Sequence, residues 1–265
     1  MEQVDGPHLP QYYILCKMIV HNHYPESFLR ILFIMQPSYS DNLHTFIQKA
    51  GNLPMTVERT NDFMQIIKGR RSIRKYDPNV KISREEMSEI LSEATLAPSS
   101  VNMQPWRFLV IDSPEGKAKL APLVKFNQSQ AETSSAVIAV FGDLNNFDYA
   151  EQIYGTAVER GLMPQEVKDR QLSNLSGYFA NLPKEISKDT VLIDAGLVSM
   201  QLMLVARAHG YDTNPIGGYE KEQLMEVFGM DKERYIPVML ISIGKAADAG
   251  YESVRLPIDT IAQWK

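Results

Sequence analysis

From residue 55 onward the apolar and polar positions fall into periods that assign elements directly. Met87, Ile90, Leu91 and Ala94 recur at i, i+3, i+4 and i+7, which is one face of a helix. Ser83 and Glu86 open that helix as a capping box, and it ends before Pro98, since a residue preceding proline leaves the helical region. Upstream, Asp62 caps a shorter helix whose apolar face is Phe63, Ile66 and Ile67 and which Gly69 closes. The continuous apolar runs at 106–111 and 136–141 predict buried strands, with a helix over 114–123 between them. Residues 147–182 carry a mixed helical pattern. Asp189 then opens a long helix, rich in Met, Leu and Ala, that runs to about His209 and stops at Gly210. Apolar residues surround most of its circumference, which predicts burial on several sides, as in a central or dimer-interface helix. A short helix over 220–228 and a strand over 235–243 complete the pattern. Pro237 inside that strand predicts an edge position or the strand's first turn. Three or four strands among six or more helices give an α+β fold.

Residues 1–54 do not share these periods. They hold His8, His21, His23 and His44, the lone Cys16, and prolines at 7, 10, 25, 37 and 54. His21 and His23 suggest a metal, but no third ligand sits at a workable spacing, so no metal site is expected. The segment reads as an N-terminal extension outside the fold. Met55 opens a convincing domain, which suggests translation from Met55. An intact mass of the native protein tests that idea, and a full-length mass would sink it.

Composition narrows the functional classes. The chain is 44% apolar and 22% charged with a net charge of -5, an ordinary globular balance. A pI near 5.6 opposes general affinity for nucleic acid, because the overall field repels a polyanion. One cysteine allows no intrachain disulfide. The apolar runs at 12–20 and 28–35 are interrupted by Lys17 and Arg30 and fall short of the ~20 residues of a membrane span. The start lacks a basic region before an apolar one, so no secretory signal is expected. These features point to a cytoplasmic protein with no membrane or nucleic-acid partner.

Against that acidic background, "KGRRSIRK" (68–75) gathers five cations in eight positions. In an extended segment Arg70, Ser72 and Arg74 point to one face, and two guanidinium forks around a hydroxyl suit an oxyanion such as phosphate. A solvated basic surface explains the same residues. In "APSSVNMQPW" (97–106) two prolines bracket Ser99, Ser100, Asn102 and Gln104, a fixed backbone with neutral donors and acceptors suited to the edge of a planar heterocycle. Neither serine sits in a G-x-S-x-G elbow, so a nucleophile is not expected. In "NPIGGY" (214–219) paired glycines let backbone N–H groups approach a flat ligand; such a pair is also a common turn. His209 reads as a helix-end residue, not a base.

Together these stretches resemble the FMN-dependent nitroreductase family. The helix followed by RRSIRKY, the PSSxNxQPW loop before a strand, the P-I-x-G loop after the long helix and a terminal arginine occur in that family's order over 55–265. The resemblance implies a three-layer α-β-α sandwich with a central mixed, mostly antiparallel sheet, and an obligate homodimer with FMN at the subunit interface. It implies that Arg70 and Ser72, with Arg71 beside them, hold the FMN phosphate, and that Arg74 approaches the N1/O2 edge of the flavin. Pro98, Ser99, Ser100, Asn102 and Gln104 would reach FMN from the partner subunit. Asn127 fills the position of a family asparagine, and Gln130 stands where a lysine often follows. Pro215, Ile216, Gly217 and Gly218 would lie along the flavin, with the Gly217 N–H toward N5 in place of a residue that is often acidic. Arg255 would complete the phosphate site. Ser253 replaces a frequent lysine, for which Lys245 is expected to compensate.

The implied activity is an FMN-dependent oxidoreductase that uses NAD(P)H to reduce nitroaromatic or quinone-type acceptors in two steps at one flavin face. Hydride passes through FMN N5, so no catalytic side chain is expected beyond assistance from Arg74 and the Gly217 backbone. The alternatives are a low-turnover flavin-binding or redox-sensing protein, and another reductive reaction such as dehalogenation on the same scaffold.

Overall fold

The computed structural model describes residues 59–265. The expected extension over 1–54, with its histidines and Cys16, lies outside the described residues. Four strands form one sheet in the order β1-β2-β4-β3: β1 (Trp106–Ile111), β2 (Ala136–Asp143), β3 (Asp212–Ile216) and β4 (Tyr235–Gly244). All named pairs are antiparallel. A parallel bridge between Ser72 and Thr213 adds the 70–76 segment beyond β3, which makes the sheet mixed.

The strand at 136–143 shows why a continuous apolar run belongs at the centre. Ala136, Ile138 and Val140 face one cluster with α2 (Arg84–Ala94) and α7 (Lys184–Ala208). Val137, Ala139 and Phe141 face a second cluster with α3 (Pro114–Leu120), α4 (Gln128–Thr133) and α8 (Lys221–Val227). Alternating side chains bury both faces over 136–141, and the strand's one charged residue, Asp143, comes at its end, where Arg107 and Arg234 pair with it. This is the expected α-β-α sandwich. Helices α5 (Ala150–Glu159) and α6 (Gln165–Ala180) form a satellite cluster with Met103.

Most boundaries follow their local signals. Asp62 Oδ1 accepts from Met64 N at 3.0 Å and Gln65 N at 3.1 Å, opening α1 (Phe63–Gly69). Ser83 Oγ accepts from Glu86 N at 3.1 Å, half of the expected capping box. Two readings need correction. The long helix starts at Lys184, not Asp189, because Pro183 occupies the cap position and Glu185 favours the first turn. The 214–219 loop is partly strand β3: Pro215 lacks an N–H, yet β3 takes ladder bonds from β4 alone over those residues, so an edge proline is tolerated. Pro237 meets its expectation: at its level β4 pairs with β2 alone, because β3 covers only residues 240–244 of β4. It sits near the start of β4, where the register slips so that Val140 faces Met239 and Phe141 faces Pro237. That bulge absorbs the missing donor.

Among the described residues α7 is the one helix long and apolar enough, by length and composition, to cross a membrane. Its buried face, from Val191 through Ala195, Val198 and Leu202 to Ala206, packs on the sheet and α2. That makes it the core helix. It also sits close to the sheet: a Cβ added to Gly142 would overlap Val191 Cγ1. Gly142→Ala is therefore expected to lower unfolding free energy by about 1–3 kcal/mol, the cost of overpacking a filled core. Urea denaturation checks this, and an unchanged midpoint would mean that α7 can move away from β2.

Candidate active site

The basic segment is held by its apolar members. Ile73 and Tyr76 are fully buried, 2% and 0% exposed; Ser72 and Arg74, on either side of Ile73, are exposed, and the chain bends at Arg74 before Tyr76 turns inward. Ile73 N donates to Thr213 O at 3.1 Å, Asp77 N to Lys245 O at 2.8 Å, and Ala247 N to Lys75 O at 3.0 Å. Below, the Tyr76 hydroxyl meets Ser242 Oγ at 2.9 Å; burial holds this phenol well above its usual range.

Three further stretches converge on this edge. Thr133 Oγ1 accepts Tyr76 N at 3.1 Å, which sets α4 against the segment. Glu220 N donates to Leu123 O at 3.0 Å, tying the glycine loop to the turn before α4. The C-terminal chain crosses at Gly250, whose φ of +69° and absent Cβ are both required: an added Cβ would lie 2.9 Å from Ile73 Cδ1 and 3.1 Å from Arg71 Cβ. One residue on, the Tyr251 ring lies 5.5 Å from the Arg74 guanidinium carbon. Arg255 follows, exposed, with Nη1 donating to Ser253 Oγ at 2.8 Å and Val254 O at 2.9 Å. Gly217 and Gly218 are exposed, and a Cβ on either would meet no atom within 4 Å. Pro215 is exposed beside them, and Ile216 is buried.

Arg70, Arg74 and Arg255 make no ion pair with any described carboxylate. Clustered cations without counter-charge repel one another, so the edge favours an anion. Three expected contributors are turned to other tasks. Arg71 Nη1 donates to Lys68 O at 2.6 Å and Arg70 O at 3.0 Å, bracing the backbone. Gln130 is 4% exposed and donates from Nε2 to Asn127 Oδ1 at 3.0 Å; an amide can be buried there where an ammonium could not, so it orients Asn127 rather than reaching outward. Lys245 Nζ lies 3.5 Å from Gly210 O and faces Asp212, a buried carboxyl that burial pushes up while Arg207 and Lys245 hold it down.

The serine loop lies elsewhere. Pro98, Ser100 and Asn102 are exposed. Ser99 Oγ accepts Gln104 N at 2.9 Å, closing the loop on itself. Val101, Asn102 and Gln104 take positive φ of 44°, 58° and 47°, which for a β-branched residue such as Val101 costs about 1–2 kcal/mol. The loop is pinned from outside. Ser100 N donates to Asp194 Oδ2 at 3.0 Å and Oδ1 at 3.2 Å, the Tyr154 hydroxyl donates to Val101 O at 3.1 Å, and Arg107 Nη1 donates to Gln104 O at 2.9 Å. Arg107 and Arg234 both pair with the fully buried Asp143 carboxylate, at 2.9 Å each. A cavity of about 530 Å³ opens between Gln104, Trp106, Ile153 and Arg160.

The two groups do not meet within one chain. The loop is anchored at Asp194 on α7, whereas the basic segment's helix ends against Arg207, whose Nη2 lies 3.1 Å from the Cβ position of Gly69. Thirteen residues of helix separate those anchors, about 20 Å along the axis. Asp194, Tyr154, Arg107 and Asp143 were not among the residues singled out from sequence. The available signal was Asp194, a lone carboxylate inside an apolar helical run.

The profile described as "Nitroreductase family" matches residues 67–245. A Bacillus subtilis (strain 168) protein named "Putative NAD(P)H nitroreductase YdgI" is 74% identical over 78% of this chain and 99% of its own length. The "CLA biosynthesis enone reductase" of Lactiplantibacillus plantarum is 39% identical, over 76% of this chain and 93% of its own. A crystal structure from Exiguobacterium sibiricum 255-15, described as "a putative nitroreductase in complex with FMN", is 73% identical. It superposes with a TM-score of 0.78, covering 79% of this chain and 100% of that one.

Proposed function

The chain belongs to the nitroreductase family, and from that premise we propose that it is an FMN-dependent oxidoreductase drawing on NAD(P)H to reduce nitroaromatic or quinone-type acceptors. One observation carries the assignment: the basic segment is bridged to β3 through Ser72 and Thr213, β3 runs on into the open backbone of Gly217 and Gly218, and Arg70 and Arg74 pair with no described carboxylate. That edge fits a ligand with an anionic tail and a flat head. The relatives' names supply the reductant, and the structure from Exiguobacterium sibiricum supplies FMN as the group to test. Residues 55–265 are the catalytic unit of this proposal, at work in the cytoplasm, where NAD(P)H is available.

FMN, when bound, supplies two-electron chemistry at its isoalloxazine ring. The protein's part is to bind and polarise. Arg70, Ser72 and Arg255 hold the phosphate dianion through charge-assisted bonds, and Asn127, oriented by Gln130, and the Gly217 N–H offer neutral donors. Arg74 holds negative charge on the electron-rich ring edge, the preorganised role of a fixed cation in a site that excludes water. No side chain is needed as an acid. His209, 4% exposed, is bonded through Nε2 to Glu93 Oε2 at 3.0 Å at the end of α7, so its ring is committed to α2. Reductant and acceptor use one face in turn, so the kinetics are ping-pong. The absence of an acidic side chain at Gly217 leaves room there for acceptors of varied shape.

Purification tests the core of this: a yellow protein that releases FMN on denaturation and oxidises NADH or NADPH with menadione or a nitrofuran. A colourless protein that takes up no FMN would sink it. Bound flavin with negligible turnover would favour the redox-sensing alternative. Arg74→Ala is expected to slow flavin bleaching by NAD(P)H by about 100-fold, the scale of a lost electrostatic donor, with a smaller change in FMN affinity. Stopped-flow bleaching at the wild-type rate would remove Arg74 from that role.

The proposal includes a homodimer. Phe63, Met64 and Ile67 on α1 and Ile193, Leu197 and Met200 on α7 are 42–65% exposed. Val254, Leu256 and Trp264 on the C-terminal chain are 65–94% exposed. Apolar groupings of this extent mark interaction surfaces, and a second copy would bring its serine loop to the basic edge.

A further inference from the structure

We propose that Asp194 and Tyr154 are positioning residues that lock the 98–104 loop in the shape with which it meets a flavin held by the other subunit; this rests on the FMN proposal above. The two side chains come from different helices, α7 and α5, and grip neighbouring residues through opposite chemistry. Asp194 accepts the Ser100 N–H with both carboxylate oxygens, and Tyr154 donates to the Val101 carbonyl. The chain between and beyond these grips takes the left-handed conformation at Val101, Asn102 and Gln104, which Asn accepts more readily than most residues but which Val101 and Gln104 disfavour. A loop of Ser, Val, Asn and Met would relax from that shape if released. The grips therefore select one geometry for Ser99, Ser100 and Asn102.

Asp194 is an expensive way to hold a loop. It is 4% exposed and makes no ion pair with a described cation. Burial pushes its carboxyl up, and the Ser100 N–H opposes that. A buried carboxylate without a cation costs stability, so a neutral residue would suit the helix better. Its return is the position of Ser100. Because its folded-state pKa is raised, ionised Asp194 contributes against folding at neutral pH, and removing the charge should not unfold the protein. Stability and ligand affinity are thus expected to part company, which a residue that merely packs the helix would not produce.

The experiment uses the full chain, stripped of FMN and titrated with FMN by flavin fluorescence. Thermal melting of the apo-protein and steady-state kcat and KM are measured alongside. Asp194→Ala is expected to weaken FMN binding about tenfold, equivalent to about 1.4 kcal/mol. Tyr154→Phe, which removes one hydroxyl, should weaken it several-fold. Asp194→Asn keeps an acceptor oxygen for Ser100 and should retain most of the affinity while melting no lower than wild type. If Asp194→Ala does not fold, Tyr154→Phe and Asp194→Asn still decide the matter. Folded Asp194→Ala and Tyr154→Phe proteins with wild-type FMN affinity and kinetics would overturn the proposal, whatever their melting temperatures. A wild type that takes up no FMN would instead overturn the flavin assignment, and this proposal with it.

Discussion

Alanine at Arg70 and Arg255 together is expected to give a chain that folds normally and comes off the column without FMN. Each charge-assisted bond to a phosphate contributes on the order of 1.5–3 kcal/mol, so losing both forks should weaken binding by about 10²–10⁴-fold. Folding should be spared for a specific reason. Neither arginine pairs with a described carboxylate, Arg255 is exposed, and Arg70 is only half-buried. Apo-protein melting therefore separates a lost ligand contact from a lost fold. Lysine at position 70 restores charge but not the planar fork, so it should recover part of the affinity. Stoichiometric FMN in the double alanine variant would mean that the phosphate lies elsewhere, and the basic edge would revert to a solvated surface.

What could be read from sequence divides along the range of the physical signal. Strand β1 matches its expected bounds at 106–111, and β2 extends the expected run to Asp143, because continuous burial leaves a continuous apolar run. The caps at Asp62 and Ser83 are local bonds spanning two or three residues. β3 was hidden because Pro215 and Gly217 carry turn chemistry, and only an edge position makes the proline acceptable. The face of α1 was read as apolar, yet only Ile66 is buried. Periodicity tells which side chains share a face, not which chain will cover it.

The candidate site divides in the same way. In the basic segment the exposure of Ser72 and Arg74 on either side of buried Ile73 was legible from alternation, which breaks at the bend beyond it. Gln130 and Lys245 were assigned by position alone. Position does not reveal that Asn127 and the Gly210 carbonyl would meet their polar ends. The grips on the serine loop connect residues 94 and 53 apart in sequence, and no local pattern announces such a pairing. A carboxylate in the middle of α7's apolar run was the one visible mark.

Glutamate at both Ile193 and Leu197 should convert a dimer to monomers and remove FMN in the same step. These side chains are 65% and 44% exposed on one side of α7, with Ile186 at 49% and Met200 at 42% continuing the stripe at helical spacing. Covering a large apolar side chain is worth about 1.5–3 kcal/mol, and the two replacements place charges where a second copy would sit. Both residues are absent from the buried clusters that join α7 to the sheet, so the monomer should remain folded. It should nonetheless fail to hold FMN, because the serine loop and the basic edge grip α7 about 20 Å apart along its axis. Light scattering, circular dichroism and FMN titration on one preparation make the test. A folded monomer with full FMN affinity would mean that one chain suffices for the site. A persistent dimer would place the interface on another face and leave this stripe without a partner.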